Sequence, residues 1–148
     1  DSYREIKLLA LFLNDFGEDM ASLRSEIPTI RILPGDMHTV RTACRHDADH
    51  GYVFFNNYQR RWKMDDHPQV KLEGLLDGKA SVGFPAFDLK GGMYGFFPYN
   101  MKLNDAVLQT ALATPLCVLH TKEGDAFVFT VISTRRFSGR AMRAQNSA

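Results

Sequence analysis

Acidic and histidine residues precede an aromatic run in the stretch 47–60, DADHGYVFFNNYQR, and side chains of this kind can bind a metal. The candidate nitrogen and oxygen ligands are His38, His46, Asp47, Asp49 and His50. A structural zinc site usually shows paired cysteine or histidine residues at fixed spacing, and Cys44 has no such partner here. The Asp47-x-Asp49 pair lacks the closing acid of a calcium-binding loop. We therefore interpret residues 47–51 as a solvated turn before a buried strand, and we predict no metal site.

Hydrolysis of a sugar linkage would need two carboxylates that flank the scissile bond. The acids of the β-rich part of the chain lie almost all at predicted turns, where they are common because their side chains form Asx turns. They are Asp65, Asp66, Glu73, Asp77, Asp88, Asp105, Glu123 and Asp125. The sequence also lacks a G-x-S-x-G motif and a phosphate-binding loop. We therefore predict no catalytic residue and no cofactor.

A group of aromatic, amide and guanidinium side chains offers a different chemistry, namely sugar binding. The group contains Asn56, Asn57, Tyr58, Gln59, Arg60, Trp62, Tyr94 and Tyr99. Aromatic rings can stack on the C–H face of a sugar, while amides and arginine bind hydroxyl groups. The predicted carbohydrate-binding residues are Asn57, Tyr58, Arg60 and Trp62. The alternative is structural packing, because residues 52–55 and 96–100 are also typical of strands that fill a core.

The composition of the 148 residues excludes some classes of partner. The chain is 45% hydrophobic and 24% charged, which is ordinary for a globular protein. A net charge of +1 provides no electrostatic surface for nucleic acid, and no apolar run reaches the roughly 18 residues of a membrane helix. We predict neither nucleic acid nor membrane as a partner. Cys44 and Cys117 lie in apolar surroundings that favour buried free thiols, and a disulfide between them stays open.

These side chains must be positioned by one helix and a series of strands. Residues 2–5, SYRE, have the form of a capping box at a helix start. Apolar residues follow at helical spacing, at Ile6, Leu9, Leu13, Phe16 and Met20, and neighbours such as Leu8 and Phe12 widen the apolar face beyond one side. From residue 29 onward, short β-rich runs alternate with turn signals. The predicted strands are 39–45, 52–58, 70–76, 80–84, 93–97, 107–112, 116–121 and 126–132.

This order of elements predicts the fold class and the organisation of the chain. Short strands without helices between them indicate an antiparallel β-sandwich or a barrel-like sheet, here preceded by one N-terminal α-helix. Asp77-Gly78 and residues 122–125 are predicted hairpin loops. We divide the chain into a helix and linker (1–28), an all-β domain (29–132) and a basic tail (133–148), for which disorder is one interpretation.

Several of these stretches resemble glycoside hydrolase family 35, the β-galactosidases. Residues 51–60, GYVFFNNYQR, together with residues 96–103, FFPYNMKL, are similar to two strands of the β domain that follows the catalytic barrel in that family. Residues 111–117, ALATPLC, resemble another stretch of that domain, with one residue fewer between Thr114 and Pro115. Residues 1–17 resemble the segment that closes the barrel. The likeness extends over residues 2–132.

The resemblance implies a role within a larger protein. The catalytic glutamates of the family lie on barrel strands, and no glutamate of this chain matches them, so we predict that the chain by itself is not an enzyme. The implied partner is the catalytic barrel of a β-galactosidase-like parent chain, and the implied location of that parent is extracytoplasmic. The residues themselves leave the compartment unknown. The leading interpretation is a non-catalytic β-sandwich domain that supports the barrel.

Two other interpretations stay open. One is a carbohydrate-binding module whose platform lies around Tyr58 and Trp62, with galactose-containing carbohydrate as the ligand. The other is a self-standing β-barrel with a pocket for a small ligand, which only the number of predicted strands supports.

Overall fold

The predicted helix, α1, extends from Ser2 to Ser22 in the computed structural model of the chain, which describes residues 2–28, 31–78, 81–131 and 139–143. Phe12 and Phe16 are buried on its inner side, and their rings stack at a centroid distance of 5.5 Å. Ile6 and Leu13 are about half exposed or more on its outer side. The wide apolar pattern therefore corresponds to two faces, of which one packs on the sheets and the other meets solvent. The predicted capping side chains of residues 2 and 5 lie outside the described atoms.

Twelve strands follow α1 in the described part of the chain. They are β1 (Arg24–Glu26), β2 (Arg41–His46), β3 (Gly51–Asn56), β4 (His67–Val70), β5 (Glu73–Gly74), β6 (Val82–Gly83), β7 (Phe87–Leu89), β8 (Tyr94–Leu103), β9 (Ala106–Thr110), β10 (Ala113–Thr121), β11 (Gly124–Val131) and β12 (Gly139–Arg143).

These strands pair only in the antiparallel sense within the described residues. The main sheet has the order β1-β2-β3-β8-β9, a second sheet has the order β10-β11-β12, and two ladders join β4 with β7 and β5 with β6. The mainly β, antiparallel fold with one N-terminal helix is thus confirmed. Because the edge strands β1 and β9 do not meet, the main sheet is not a closed barrel, and the layers form a sandwich-like arrangement.

Both faces of the main sheet are covered by apolar side chains. On one face, α1 and the second sheet enclose a core of Phe12, Phe16, Leu23, Tyr52, Met101, Ala113, Phe127 and Phe129. On the other face, the short ladders enclose a core of Cys44, Val53, Phe55, Leu72, Phe84, Leu89, Phe97 and Tyr99. A strand covered on both faces has a nearly continuous apolar sequence. This condition accounts for the runs of 52–55 and 96–97.

Some predicted boundaries differ from the structure. The predicted strand 70–76 is divided between β4 and β5, and its partner β7 was not predicted. Asp77-Gly78 forms a turn within the longer connection between β5 and β6, whereas residues 122–123 form the predicted tight hairpin between β10 and β11. In the predicted linker, β1 pairs with β2. In the predicted tail, β12 pairs with β11, and residues 133–138 and 144–148 lie outside the described residues.

Asn100 determines how β8 serves both cores. Its φ angle of 51° is in the left-handed region, which asparagine tolerates better than most residues. The preceding Tyr99 belongs to the core under the short ladders, while the following Met101 belongs to the core under α1. The Asn100 side chain also donates a hydrogen bond to the carbonyl of Asp49 over 3.0 Å. The positive φ at Asn100 marks the point where the side-chain alternation of β8 shifts, so that Tyr99 and Met101, two residues apart, face different cores.

We expect substitution of Asn100 by valine to destabilise the chain by about 1–2 kcal/mol, because a β-branched residue is strained at positive φ. Asn100→Gly is the matched control, since glycine adopts this φ without strain and loses only the side-chain hydrogen bond. Urea unfolding of both variants measures the difference. Equal stability of the two variants would contradict the strain argument.

Candidate functional site

The stretch 47–51 forms the predicted turn before β3. The Asp47 side chain accepts hydrogen bonds from the backbone N–H groups of Asp49 and His50, over 2.7 and 2.9 Å. The Asp47 N–H donates to the carbonyl of His50 over 3.1 Å. The interpretation of this segment as a turn that leads into a buried strand is confirmed.

This turn is joined to α1 by a network of titratable side chains. Nε2 of His50 lies 2.8 Å from Oδ1 of Asp19, and the Tyr52 hydroxyl donates to Oδ2 of Asp19, also over 2.8 Å. On the other side of the imidazole, Nδ1 of His50 lies 3.2 Å from Oδ1 of Asp47. The network therefore ties the helix, the turn and β3 together through one carboxylate of α1.

The electrostatics of this network favour charged partners. The hydrogen bond with Asp19 raises the pKa of His50, and the same contact lowers the pKa of Asp19. Burial acts against ionisation of Asp47, but the N–H groups of His50 and Asp49 still lower its pKa. Burial first, and then the Asp19 charge, raise the pKa of Tyr52, so its hydroxyl stays protonated and acts as a donor. This is the chemistry of a clamp between elements, because each group holds another group of the chain.

The sequence did not single out Asp19, although a signal was present. Asp19 follows Phe12 by seven residues and Phe16 by three, so it lies near the buried face of α1. An acid at such a position needs a partner, because burial of an unpaired carboxylate is unfavourable. His50 is that partner.

The histidines that were candidate metal ligands in the sequence contact different carboxylates. Nδ1 of His38 lies 2.5 Å from Oδ2 of Asp65, while Nε2 of His46 lies 2.9 Å from Oε2 of Glu26. Among the described residues, no group of three or more His, Cys, Asp or Glu side chains is arranged to hold a metal. Cys44 and Cys117 are both free, and burial raises the pKa of each thiol.

Asn57 does not belong to an exposed platform. It is fully buried, and its Nδ2 donates to the carbonyls of Asp65 and Lys90 over 2.8 and 3.1 Å. The neighbouring Gln59 also serves the fold, since its Oε1 accepts a hydrogen bond from Nη2 of Arg41 over 3.0 Å. The amide of Asn57 therefore holds two loops together, and we remove this residue from the candidate contacts to a sugar.

Of the exposed predicted residues, Tyr58 lines a surface depression, whereas Arg60 and Trp62 are not among the residues that line it. Trp62 is half exposed, and its indole ring lies over Gly35. A Cβ atom built on Gly35 would be 3.4 Å from Cη2 of that ring. Arg60 is exposed. Tyr58 is half exposed and faces Tyr94, with the ring centroids 6.1 Å apart and the rings inclined at 49°.

Tyr58 and Tyr94 line a surface depression together with Asn56 and Gly92, and its volume is about 560 Å³. We call this set of four residues the tyrosine depression. Tyr94 was in the aromatic group noted from the sequence but not among the predicted binding residues. The register of the main sheet explains its position, because Tyr94 pairs with Asn56 across β3 and β8.

An apolar groove continues from the tyrosine depression. It has a volume of about 830 Å³ and lies between the first half of α1, the main sheet, β10 and β11. Asn56, Gly92 and Tyr94 line both the groove and the depression. Leu8 and Phe12 are among the α1 residues that line the groove. The chain therefore carries one continuous concave surface with an aromatic, polar end and an apolar end.

Together, the fold and this surface define the class of the protein as an antiparallel, sandwich-like β domain with one packed helix and an aromatic surface depression. No family model, curated protein or solved structure matches this chain. Among the described helical residues, no segment is long and apolar enough to cross a membrane.

We expect the clamp to make stability depend on pH. Because the folded-state pKa of His50 is raised, its contribution is complete below the ordinary value of 6.5 and is lost as the pH rises through the raised value. Asp19 and Asp47 have lowered pKa values, so their contribution is complete above 3.8 and is lost as the pH falls through the lowered values. The network therefore stabilises the fold most between about pH 4 and about pH 6.5.

Urea unfolding across this range measures the effect. His50→Gln should flatten the fall in the free energy of unfolding above about pH 6.5. His120→Gln is the control, since His120 is exposed and pairs with Asp125 away from this network. A His50→Gln profile as steep as that of the unmodified chain would refute the assignment.

Proposed function

We propose that the chain is a non-catalytic β-sandwich domain of a larger β-galactosidase-like glycoside hydrolase, and that it packs against the catalytic barrel of that protein. The resemblance of residues 51–60 and 96–103 to the β domain of family 35 supports the choice of parent. The outer face of α1 is the observation that carries the proposal.

That outer face is apolar and open to solvent. Tyr3 is 81% exposed, Ile6 64% and Leu13 49%, and Ala10 is also exposed. These residues follow one another at steps of three and four, so they form one stripe along the helix. Contiguous exposed apolar surface of this kind marks an interaction site. The stripe is offset around the helix from the buried rings of Phe12 and Phe16, so a partner can cover it without displacing them, although its Ile6 also borders the apolar groove.

The hydrogen bonds of the acidic side chains support a role without catalysis. Asp66 accepts hydrogen bonds from Nζ of Lys90 and from the N–H of Gly91, over 3.0 and 2.9 Å. Asp88 accepts a hydrogen bond from the N–H of Gln69 over 3.0 Å. These carboxylates hold loops and ladders together, whereas a glycosidase needs two carboxylates facing one cleft.

The chain alone should not hydrolyse a chromogenic β-galactoside, and it should associate with a catalytic barrel encoded upstream in the same reading frame. Leu13→Glu should weaken this association, because it places a charge in the stripe, and calorimetry of the separately produced domains measures it. Val107→Glu is the control, since Val107 is 58% exposed on the edge strand β9. Turnover that disappears when one carboxylate is replaced, or a reading frame without a barrel, would overturn the proposal.

The tyrosine depression favours a second candidate function, a carbohydrate-binding module. Two half-exposed rings that face each other at 6.1 Å offer apolar surface to a sugar, and the Asn56 side chain lies beside them. This candidate places the site at Tyr58 and Tyr94, and Trp62 falls outside the depression.

Affinity electrophoresis in gels that contain galactan tests the module. We expect the unmodified chain to be retarded, and Tyr58→Ala and Tyr94→Ala to migrate faster because they remove the stacking surface. Trp62→Ala is the matched control, because it removes a half-exposed ring outside the depression. Unretarded migration of the unmodified chain would eliminate this candidate.

A further inference from the structure

The tyrosine depression and the apolar groove share three lining residues, so a ligand in one can extend into the other. The shared residues are Asn56, Gly92 and Tyr94. The depression presents aromatic rings and an amide, while the groove is bounded by the apolar side chains of α1 and of two sheets. A volume of about 830 Å³ is within the range of small-molecule sites. The matching ligand has a polar end of sugar size and an apolar extension.

The walls of the groove contain hydrogen-bonding groups without partners. Thr130 is only 7% exposed, and its buried Oγ1 has no hydrogen-bond partner among the described residues. Nη1 of Arg41 is also buried and has no partner in the part of the chain that the structure describes, although Nη2 binds Gln59. Both atoms are closed off from solvent, so a ligand in the groove reaches them only after a shift of the side chains that cover them. Both residues line the groove.

Arg41 lies on the strand beside the residue that links the two concavities. Arg41 pairs with Asn56 across β2 and β3, and Asn56 lines the tyrosine depression. Arg41 therefore borders the groove on the strand next to Asn56, and its Nη2 is held by Gln59 and by the carbonyl of Asp36. A hydroxyl or glycosidic oxygen there can accept a hydrogen bond from an arginine N–H.

We propose that the two concavities form one site for a glycoside with an apolar aglycone, whose sugar lies on Tyr58 and Tyr94 and whose aglycone occupies the groove beneath α1. This inference rests on the second candidate function for its sugar end, and it adds the class of the second half of the ligand. It shares Ile6 with the outer stripe of α1, whereas Tyr3, Ala10 and Leu13 are not among the groove residues.

Calorimetry with hexyl, octyl and decyl β-galactosides, each below its critical micelle concentration, tests the proposal on the full chain. We expect the Kd to fall by about fourfold for each added methylene until the groove is full. The heat capacity change of binding should become more negative along the series, since apolar burial has that signature. A Kd that does not depend on chain length would overturn the proposal.

Two variants locate the binding. Ala43 lines the groove, and Ala43→Leu should remove the dependence on chain length by filling the space. Tyr94→Ala changes a half-exposed residue, so we expect the variant to fold. It should abolish the preference for a galactoside over an alkyl poly(ethylene glycol) of equal chain length. Leu13→Glu is the control and should bind the whole series like the unmodified chain. An unchanged series in Ala43→Leu, or equal affinity for the sugar-free amphiphile, would refute the proposal.

Other occupants of the groove give different results. If the groove is an interface between copies of the chain, sedimentation will show a dimer that Ala43→Leu dissociates, and this result overturns the ligand proposal. If galactan retards the chain but the Kd of the galactosides does not depend on alkyl-chain length, the groove does not bind an aglycone. The carbohydrate-binding module then remains as the second candidate function. If Leu13→Glu no longer associates with the barrel but binds the galactosides like the unmodified chain, barrel association and ligand binding use different residues.

Discussion

Burial of both faces of the β3–β8 pair is the constraint on which the rest of the structure depends. Tyr52 and Phe54 face the core beneath α1, while Val53 and Phe55 face the core beneath the short ladders. Two covers are needed because neither face can be left in water without exposing large aromatic surface. The helix and the second sheet provide one cover, and strands β4 to β7 with the described residues between them provide the other. Packing is close at Gly74, where an added Cβ would lie 2.5 Å from the Tyr99 ring.

The polar residues near the sheet edges follow from the same constraint. Loops that pass close to a covered sheet need hydrogen-bond partners for their backbone groups. Asn57 donates to two such carbonyls, and the Tyr99 hydroxyl donates to the carbonyl of Leu75 over 2.6 Å. The amide-rich run after β3 is therefore mainly a connector between the main sheet and its covers. Tyr58 is the part of this run that lines the exposed depression.

The sequence predicts those elements whose pattern is local. The 3.6-residue spacing of α1 and the turn chemistry at Asp47 and residues 122–123 specify their structure within a few residues. By contrast, β1 is exposed at all three positions and has no apolar pattern, so only its pairing with β2 makes it a strand. The division of 70–76 between β4 and β5 is likewise set by partners far along the chain.

The candidate site was harder to predict for a related reason. Residue type suggested a platform, but residue type does not distinguish the buried Asn57 from the half-exposed Tyr58 beside it. The facing of Tyr58 and Tyr94 depends on the register between β3 and β8, which brings positions about 36 residues apart together. The groove depends on how α1 lies against two sheets, and helical spacing alone does not contain this information.

The left-handed residue in β8 has a consequence for how the molecule comes apart. Since Tyr99 and Met101 anchor different cores from one continuous backbone, loss of either core releases the strand that the other core needs. We therefore expect the two cores to unfold together, with local opening at the outer strands and the ends of α1. β8, like β3, thus joins two packing layers into one cooperative folding unit.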